Sequence, residues 1–261
     1  MKKEIIKTAI FLILFILLNA YNCLATSSCP DAKELEELIN KTFHKDLKIV
    51  KIVPSEIKGI CAVEIKLGPV LRMIYVDSKG KYLLTGKIYD ITTGENVTQK
   101  ELGNINRLTP KDFKTLNKYI AFTIGKKGTT IYFVSDPICP YCRKAEKVVK
   151  EMAQKGIIKV HYVLYPLSFH PGAYERCVSI ICEHKGLKAY ETGNIPNNQC
   201  KEGKKFIDDS KKFLNSKGIF GTPTYIFLDG RHYTGFLTEK QLIEMAHIKI
   251  KKRFHSPHSL P

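Results

Sequence analysis

The sequence predicts two αβ units in series, a small α+β unit followed by a larger α/β unit. Three observations carry this. Residues 29 to 97 read as one helix followed by a run of strands. From Thr129 onward, strands and helices alternate, ending in a hairpin and a helix, the order of an α/β unit with a mixed sheet. Between them lies a stretch that reads as a single helix of roughly 25 Å, starting after Thr109. A chain of 261 residues suits two small domains better than one large one.

The N-terminus carries Lys2, Lys3 and Lys7, then the apolar run "TAIFLILFILLNAY", then "CLA" with small residues Cys23 and Ala25. This is the layout of a secretory signal, expected to span residues 1–25 and to leave Thr26 as the first mature residue. The run is short for a membrane span. An uncleaved anchor is the competing reading.

After the signal, "CPDAKELEELINKTF" reads as a helix with Leu35, Leu38, Ile39 and Phe43 on one face. "LKIVKIV", "ICAVEIKL", "VLRMIYV" and "YLLTGKIYDI" read as strands, with "DSKG" as a hairpin turn between the last two. The expected N-terminal unit covers 26–107. It is too small for a generous core, which points to a covering partner. "LTPKDFKTLNKYIAFTIGKKG" reads as one linker helix over 108–127, with Pro110 in its first turn and Gly125 near its end. The C-terminal unit is expected over 128–250: strand "TTIYFVS", a helix from Cys139 to Lys155, strand "IIKVHYVLY", a mostly helical stretch from His170 to Lys217, the hairpin "PTYIFLDGRHYTGF" and a last helix capped by Thr238. The tail "KKRFHSPHSLP", 251–261, reads as disordered.

Formal net charge is +17. The lysines are scattered between apolar residues on what read as solvated faces, so the charge reads mainly as solubility, with binding to an anionic surface as the minor alternative, and no nucleic-acid partner is expected. His161, His170 and His184 are scattered, without metal-ligand spacing. No phosphate-binding glycine loop is present.

Seven cysteines remain after the signal: Cys29, Cys61, Cys139, Cys142, Cys177, Cys182 and Cys200. In an exported protein they tend to pair. Cys139 and Cys142 are two residues apart, where a strand gives way to an amphipathic helix. The first cysteine of such a pair points at unpaired backbone N–H groups, where negative charge is favoured, and only the thiolate exchanges disulfides. Pro140 fits the first turn, and Arg143 and Lys144 add positive charge. A staple and half of a four-cysteine zinc site, completed from Cys177, Cys182 or Cys200, are the alternatives. A two-residue loop closes little chain entropy, and export with strand-then-helix placement favours a redox pair. Cys29 and Cys61 both fall in the N-terminal unit, where a local disulfide would fit. Cys177 sits on an apolar helical face and reads as buried and inert.

With the signal, the αβ unit, the linker, "CPYC" and "GTPTYIF" at Gly221 to Phe227, the chain resembles the periplasmic thiol–disulfide isomerases of the DsbC/DsbG type. The resemblance implies a thioredoxin fold with a helical insert in the C-terminal unit and an N-terminal unit that dimerises. It implies Cys139 as the exposed attacking thiol, Cys142 as the buried resolving thiol, and Pro223 in cis, with Thr222 presenting its backbone to substrate. Asp136 matches an acidic family position, either tuning the pair or capping the loop. Cys182 and Cys200 match a structural disulfide of the insert. No cofactor or metal is implied. The implied partners are misoxidised or unfolded exported proteins, a membrane thiol reductant and a second copy of the chain. Net disulfide oxidation, and holding of unfolded chains with redox chemistry secondary, are the alternatives.

Overall fold

The computed structural model describes residues 29–67, 70–192 and 198–248. The signal reading at 1–25 and the tail at 251–261 lie outside them. The chain divides into two compact units, residues up to 67 with 72–86, and 68–71 with 87 onward.

In the first unit, helix α1 (Ala32–Phe43) starts at Asp31, whose carboxylate accepts the N–H groups of Lys33 and Glu34 at 2.9 and 3.0 Å. Strands β1 (Lys48–Pro54), β2 (Ile60–Leu67), β3 (Val70–Asp77) and β4 (Leu83–Leu84) follow and form one sheet in that order. The β3–β4 turn is closed by Asp77, which accepts from Lys81 and Tyr82 N–H at 2.7 Å each. The core is short: Leu35 and Ile39 of α1 pack with Leu47, Cys61, Val63, Ile65, Ile74 and Val76. The strand expected over "YLLTGKIYDI" shrinks to two residues. Beyond Leu84 the chain has one isolated bridge, Tyr89 with Asn96, and Asp90 turns it by accepting from Thr92. Tyr89 and Ile91 are exposed, so no buried face holds that segment extended.

The second unit begins earlier than the sequence suggests. Helix α2 (Val97–Ile105) packs on strand β9 (His232–Thr234), with Asn96 N–H donating to the Tyr233 hydroxyl at 3.3 Å. Gly103 lies so close to β9 that a Cβ there would stand 1.7 Å from the His232 carbonyl oxygen. The single linker helix over 108–127 is not formed. Helix α3 (Pro110–Leu116) starts on a Thr109–Asp112 capping box, then one 3-10 turn (Asn117–Tyr119) leads into strand β5 (Phe122–Ile124). The β-prone "YIAFTI" pairs with β7 (Ile158–Leu164), stacking Phe122 on Tyr162 at 4.4 Å between ring centres. This segment belongs to the second unit's sheet and core and is not a free spacer.

That sheet has the order β5-β7-β6-β8-β9, with β6 (Thr129–Ser135) parallel to β7 and antiparallel to β8 (Thr224–Phe227), and β9 antiparallel to β8. Helix α4 (Pro140–Gln154) connects β6 to β7. Helices α5 (Ala173–Glu183), α6 (Leu187–Glu191) and α7 (Lys201–Ser216) lie between β7 and β8, and α8 (Glu239–Met245) follows β9. The strand period of two divides β6 between two cores. Ile131 and Phe133 face Val149 and Met152 of α4, Val178 of α5 and Leu242 of α8. Tyr132 and Val134 face Leu116 of α3 and Leu214 of α7. Both layers brace β6, whose C-terminal end carries the site.

Candidate active site

The backbone leaves β6 at Ser135 and turns through Asp136, Pro137 and Ile138 into Cys139, the residue that caps α4. Pro140 occupies the first helical turn, where a missing N–H costs nothing. Cys139 is in extended conformation at the cap, and its side chain makes no capping hydrogen bond. Its Sγ lies 4.0 Å from the Thr222 carbonyl oxygen, in the loop where the Thr222–Pro223 peptide bond is cis. Cys142 stands one turn along α4, without solvent contact, and its Sγ accepts the Asp136 N–H at 3.4 Å. Cys139, Cys142 and Cys177 are free thiols.

The two sulfurs of the pair differ electrostatically. The Cys142 thiol, hydrogen-bonded to the Cys139 sulfur, lowers the Cys139 pKa against its burial. The N–H groups of Cys142 and Tyr141 at the helix start act the same way, and the result is about 5. Burial pushes the Cys142 thiol in the opposite direction, far above the ordinary range. The pair is therefore asymmetric: Cys139 is the sulfur favoured to ionise and Cys142 the one favoured to keep its proton. The expected exposure of Cys139 is not met: the residue is only 3% exposed, because it lies against the Thr222–Pro223 loop.

Asp136 is fully buried. Its carboxylate accepts from Ile138 N–H at 2.8 Å, from Leu167 N–H at 3.0 Å and from His170 Nδ1 at 2.8 Å. His170 is the site residue that sequence reasoning missed. It falls six residues after β7, before Pro171-Gly172, and no spacing marks it as a neighbour of Asp136. Ser135 and Tyr190 share a 2.5 Å hydrogen bond behind the pair. Glu146, one turn beyond Cys142, is buried with its carboxyl pushed up by burial.

The remaining cysteines lie elsewhere. Cys182 and Cys200 are joined, with Cα atoms 5.9 Å apart, and so are Cys29 and Cys61, at 5.8 Å. Cys177 is fully buried, and burial pushes its thiol well above the ordinary value. With Cys182 and Cys200 bonded to each other, the four-cysteine zinc arrangement is not formed, and no group of three metal-ligating side chains occurs among the described residues.

Residues 26–99 match the family described as the disulfide bond isomerase protein N-terminal domain, and residues 116–247 match the thioredoxin-like domain family. The chain is 24% identical over 239 residues to the probable thiol:disulfide interchange protein DsbC of Bordetella avium, covering 87% of this chain and 80% of that protein. It is 25% identical over 223 residues to the thiol:disulfide interchange protein DsbC of Dickeya dadantii, covering 82% and 87%. Against the thiol:disulfide interchange protein DsbG of Escherichia coli the identity is 22% over 219 residues, covering 76% and 84%. An isomerase-type N-terminal domain followed by a thioredoxin-like domain with a cysteine pair at a helix start places this chain in the thioredoxin-like family as a thiol:disulfide interchange enzyme of the DsbC/DsbG type.

Proposed function

We propose that Cys139 attacks and Cys142 resolves, and that together they rearrange or reduce wrong disulfides in exported proteins of the periplasm. The observation that carries this reading is the asymmetry of the pair: one sulfur at a helix start, 4.0 Å from the Thr222 carbonyl and favoured to ionise, and a second buried one turn behind it and favoured to stay protonated. The Cys139 thiolate attacks one sulfur of a client disulfide, forming a mixed disulfide and releasing the other client sulfur as thiolate. A second client thiolate can then displace Cys139, which moves a disulfide with no net electron change. Alternatively Cys142, deprotonated, attacks the Cys139 sulfur. The client then leaves with two more electrons, and the pair holds the disulfide until a membrane thiol reductant restores it. Thr222 and Pro223 offer client backbone an edge beside the attacking sulfur. Tyr141 and Phe220, two residues from Cys139 and Thr222 in the chain, and Phe169 beside His170 are exposed aromatic side chains of the kind that suits unfolded chain. No cofactor enters these steps.

The signal-like N-terminus and the two disulfides support the periplasm. The matched N-terminal domain supports a homodimer, and so do the exposed Leu38, Phe43, Tyr82 and Leu84 of its unit. Changing Cys139→Ser should abolish exchange on a scrambled client, whereas Cys142→Ser should trap mixed disulfides with it. Full exchange by Cys139→Ser sinks the reading. A net oxidase is the second reading, favoured by the low Cys139 pKa, because a stabilised thiolate favours the reduced pair. The equilibrium of the pair with glutathione decides the direction.

A further inference from the structure

A buried carboxylate needs its acceptor sites filled. Among the described residues, two of the three donors to the Asp136 carboxylate are backbone N–H groups, from Ile138 in the turn before α4 and Leu167 in the segment after β7. His170 supplies the third and is the only side chain among them, its ring partly exposed and packed edge-on against Phe169 at 4.7 Å between ring centres. With its hydrogen on Nδ1, the imidazole donates to the carboxylate oxygen 2.8 Å away. The Asp136 backbone, meanwhile, brackets both cysteines. Its N–H reaches the Cys142 sulfur, and its carbonyl accepts the Cys139 N–H at 3.2 Å. Arg176 of α5 and Lys211 of α7 lie near this region but donate elsewhere, to the Tyr190 and Pro166 carbonyls.

We infer that His170 is a positioning residue for thiol exchange: its Nδ1–H holds the Asp136 carboxylate, and through it the turn that aims Cys142 at the Cys139 sulfur. The inference rests on the reading of Cys139 as the attacking thiol. Without the imidazole donor, one carboxylate oxygen turns toward water and Ile138 or Leu167 loses its acceptor. The Asp136 N–H then leaves the Cys142 sulfur, and the Cys139 thiolate loses the thiol hydrogen bond that stabilises it most.

The test is the pH profile of Cys139 alkylation in the full chain, read by mass mapping alongside thermal melting. His170→Ala should move the midpoint upward by about one unit, a tenfold loss of thiolate on the acid side of the profile. His170→Leu, which keeps bulk beside Phe169 but has no N–H, should do the same, and it carries the test if the alanine variant does not fold. His170→Asn places an amide N–H where Nδ1 stands and should keep the wild-type midpoint. The inference is overturned if Ala and Leu melt earlier yet keep the wild-type profile, which marks a purely structural residue, or if Asn moves as far as Leu. Failure of the site reading itself looks different: exchange would survive Cys139→Ser whatever the His170 variants do.

Discussion

Two helices of the second unit begin on a cysteine, and the chemistry of the two starts is opposite. Cys139 caps α4 and Cys200 caps α7. Three residues further on stands Cys142 in one helix and Gly203 in the other. At α7 the glycine leaves room for a disulfide that arrives from α5: Cys200 Sγ is bonded to Cys182 and also accepts the Gly203 N–H at 3.3 Å. At α4 the same position holds a second thiol, which turns toward the cap sulfur within one helix. A helix start favours negative sulfur in both places. That preference acts on Cys139, which keeps a thiol able to ionise, and not on Cys200, whose sulfur is held in a neutral disulfide with Cys182.

The largest effect expected from this contrast concerns acid reactivity. With its pKa near 5, Cys139 should alkylate at a rate that rises with pH through about 5 and is flat above. At pH 6 an ordinary thiol of pKa near 9 is about a thousandfold less ionised than it is at full titration. Cys200 freed by Cys182→Ala sits at an equivalent helix start but lacks a thiol neighbour, so its profile should lie between these limits. Cys142→Ala should raise the Cys139 midpoint toward that same intermediate value. Equal midpoints for Cys139 and freed Cys200 would show the helix start to be sufficient, and the second thiol to matter only for resolution.

Stability should divide the other way. Removing Cys182 and Cys200 together should cost about 3 kcal/mol in urea unfolding, from a sequence separation of 18 residues, and should leave the Cys139 profile in place. Removing Cys29 and Cys61, 32 residues apart, should cost slightly more, about 3.5 kcal/mol, and from a unit with a far shorter core. A shifted Cys139 profile in the Cys182/Cys200 variant would mean that the insert helps shape the exchange site.

The legibility of this molecule follows the range of the interactions involved. The order of elements from Thr129 onward and the placement of Cys139 at a helix start depend on local periodicity and on a strand-to-helix junction, and those can be seen in a window of about twenty residues. The linker could not be read this way. Thr109 and Pro110 do begin a helix, but "YIAFTI" leaves it because β7 offers an edge to pair with, and β7 lies some forty residues later. For the same reason a cut at Lys127 would strip β5 from the sheet and Leu116 from a core, because the second unit takes in residues 68–71 and everything from 87 onward. His170 escaped because its role exists only through Asp136, 34 positions earlier. The tight seat of Cys139 escaped because the Thr222–Pro223 loop that covers it is more than eighty residues away.

The smallest expected effect isolates the glycine that distinguishes α7 from α4. In an exposed helix, glycine to alanine gains up to about 1 kcal/mol from backbone entropy. At Gly203 an added Cβ would stand 2.5 Å from the Cys182 sulfur, 3.1 Å from the Cys200 sulfur and 3.0 Å from the Val178 carbonyl oxygen. The sulfurs are locked together, so they cannot retreat as a flexible side chain would, and overpacking of this kind costs about 1–3 kcal/mol. Gly203→Ala should therefore destabilise the oxidised protein by about 1 kcal/mol net. With Cys182 and Cys200 both changed to alanine the two sulfur contacts vanish and only the Val178 approach is left, so the same substitution should become neutral or slightly stabilising. The difference between the two backgrounds, measured as a double-mutant cycle in urea, is the contact between the glycine and the disulfide. An equal cost in both backgrounds would place the strain at Val178, and the glycine would then say nothing about why one capped cysteine is crosslinked and the other is free.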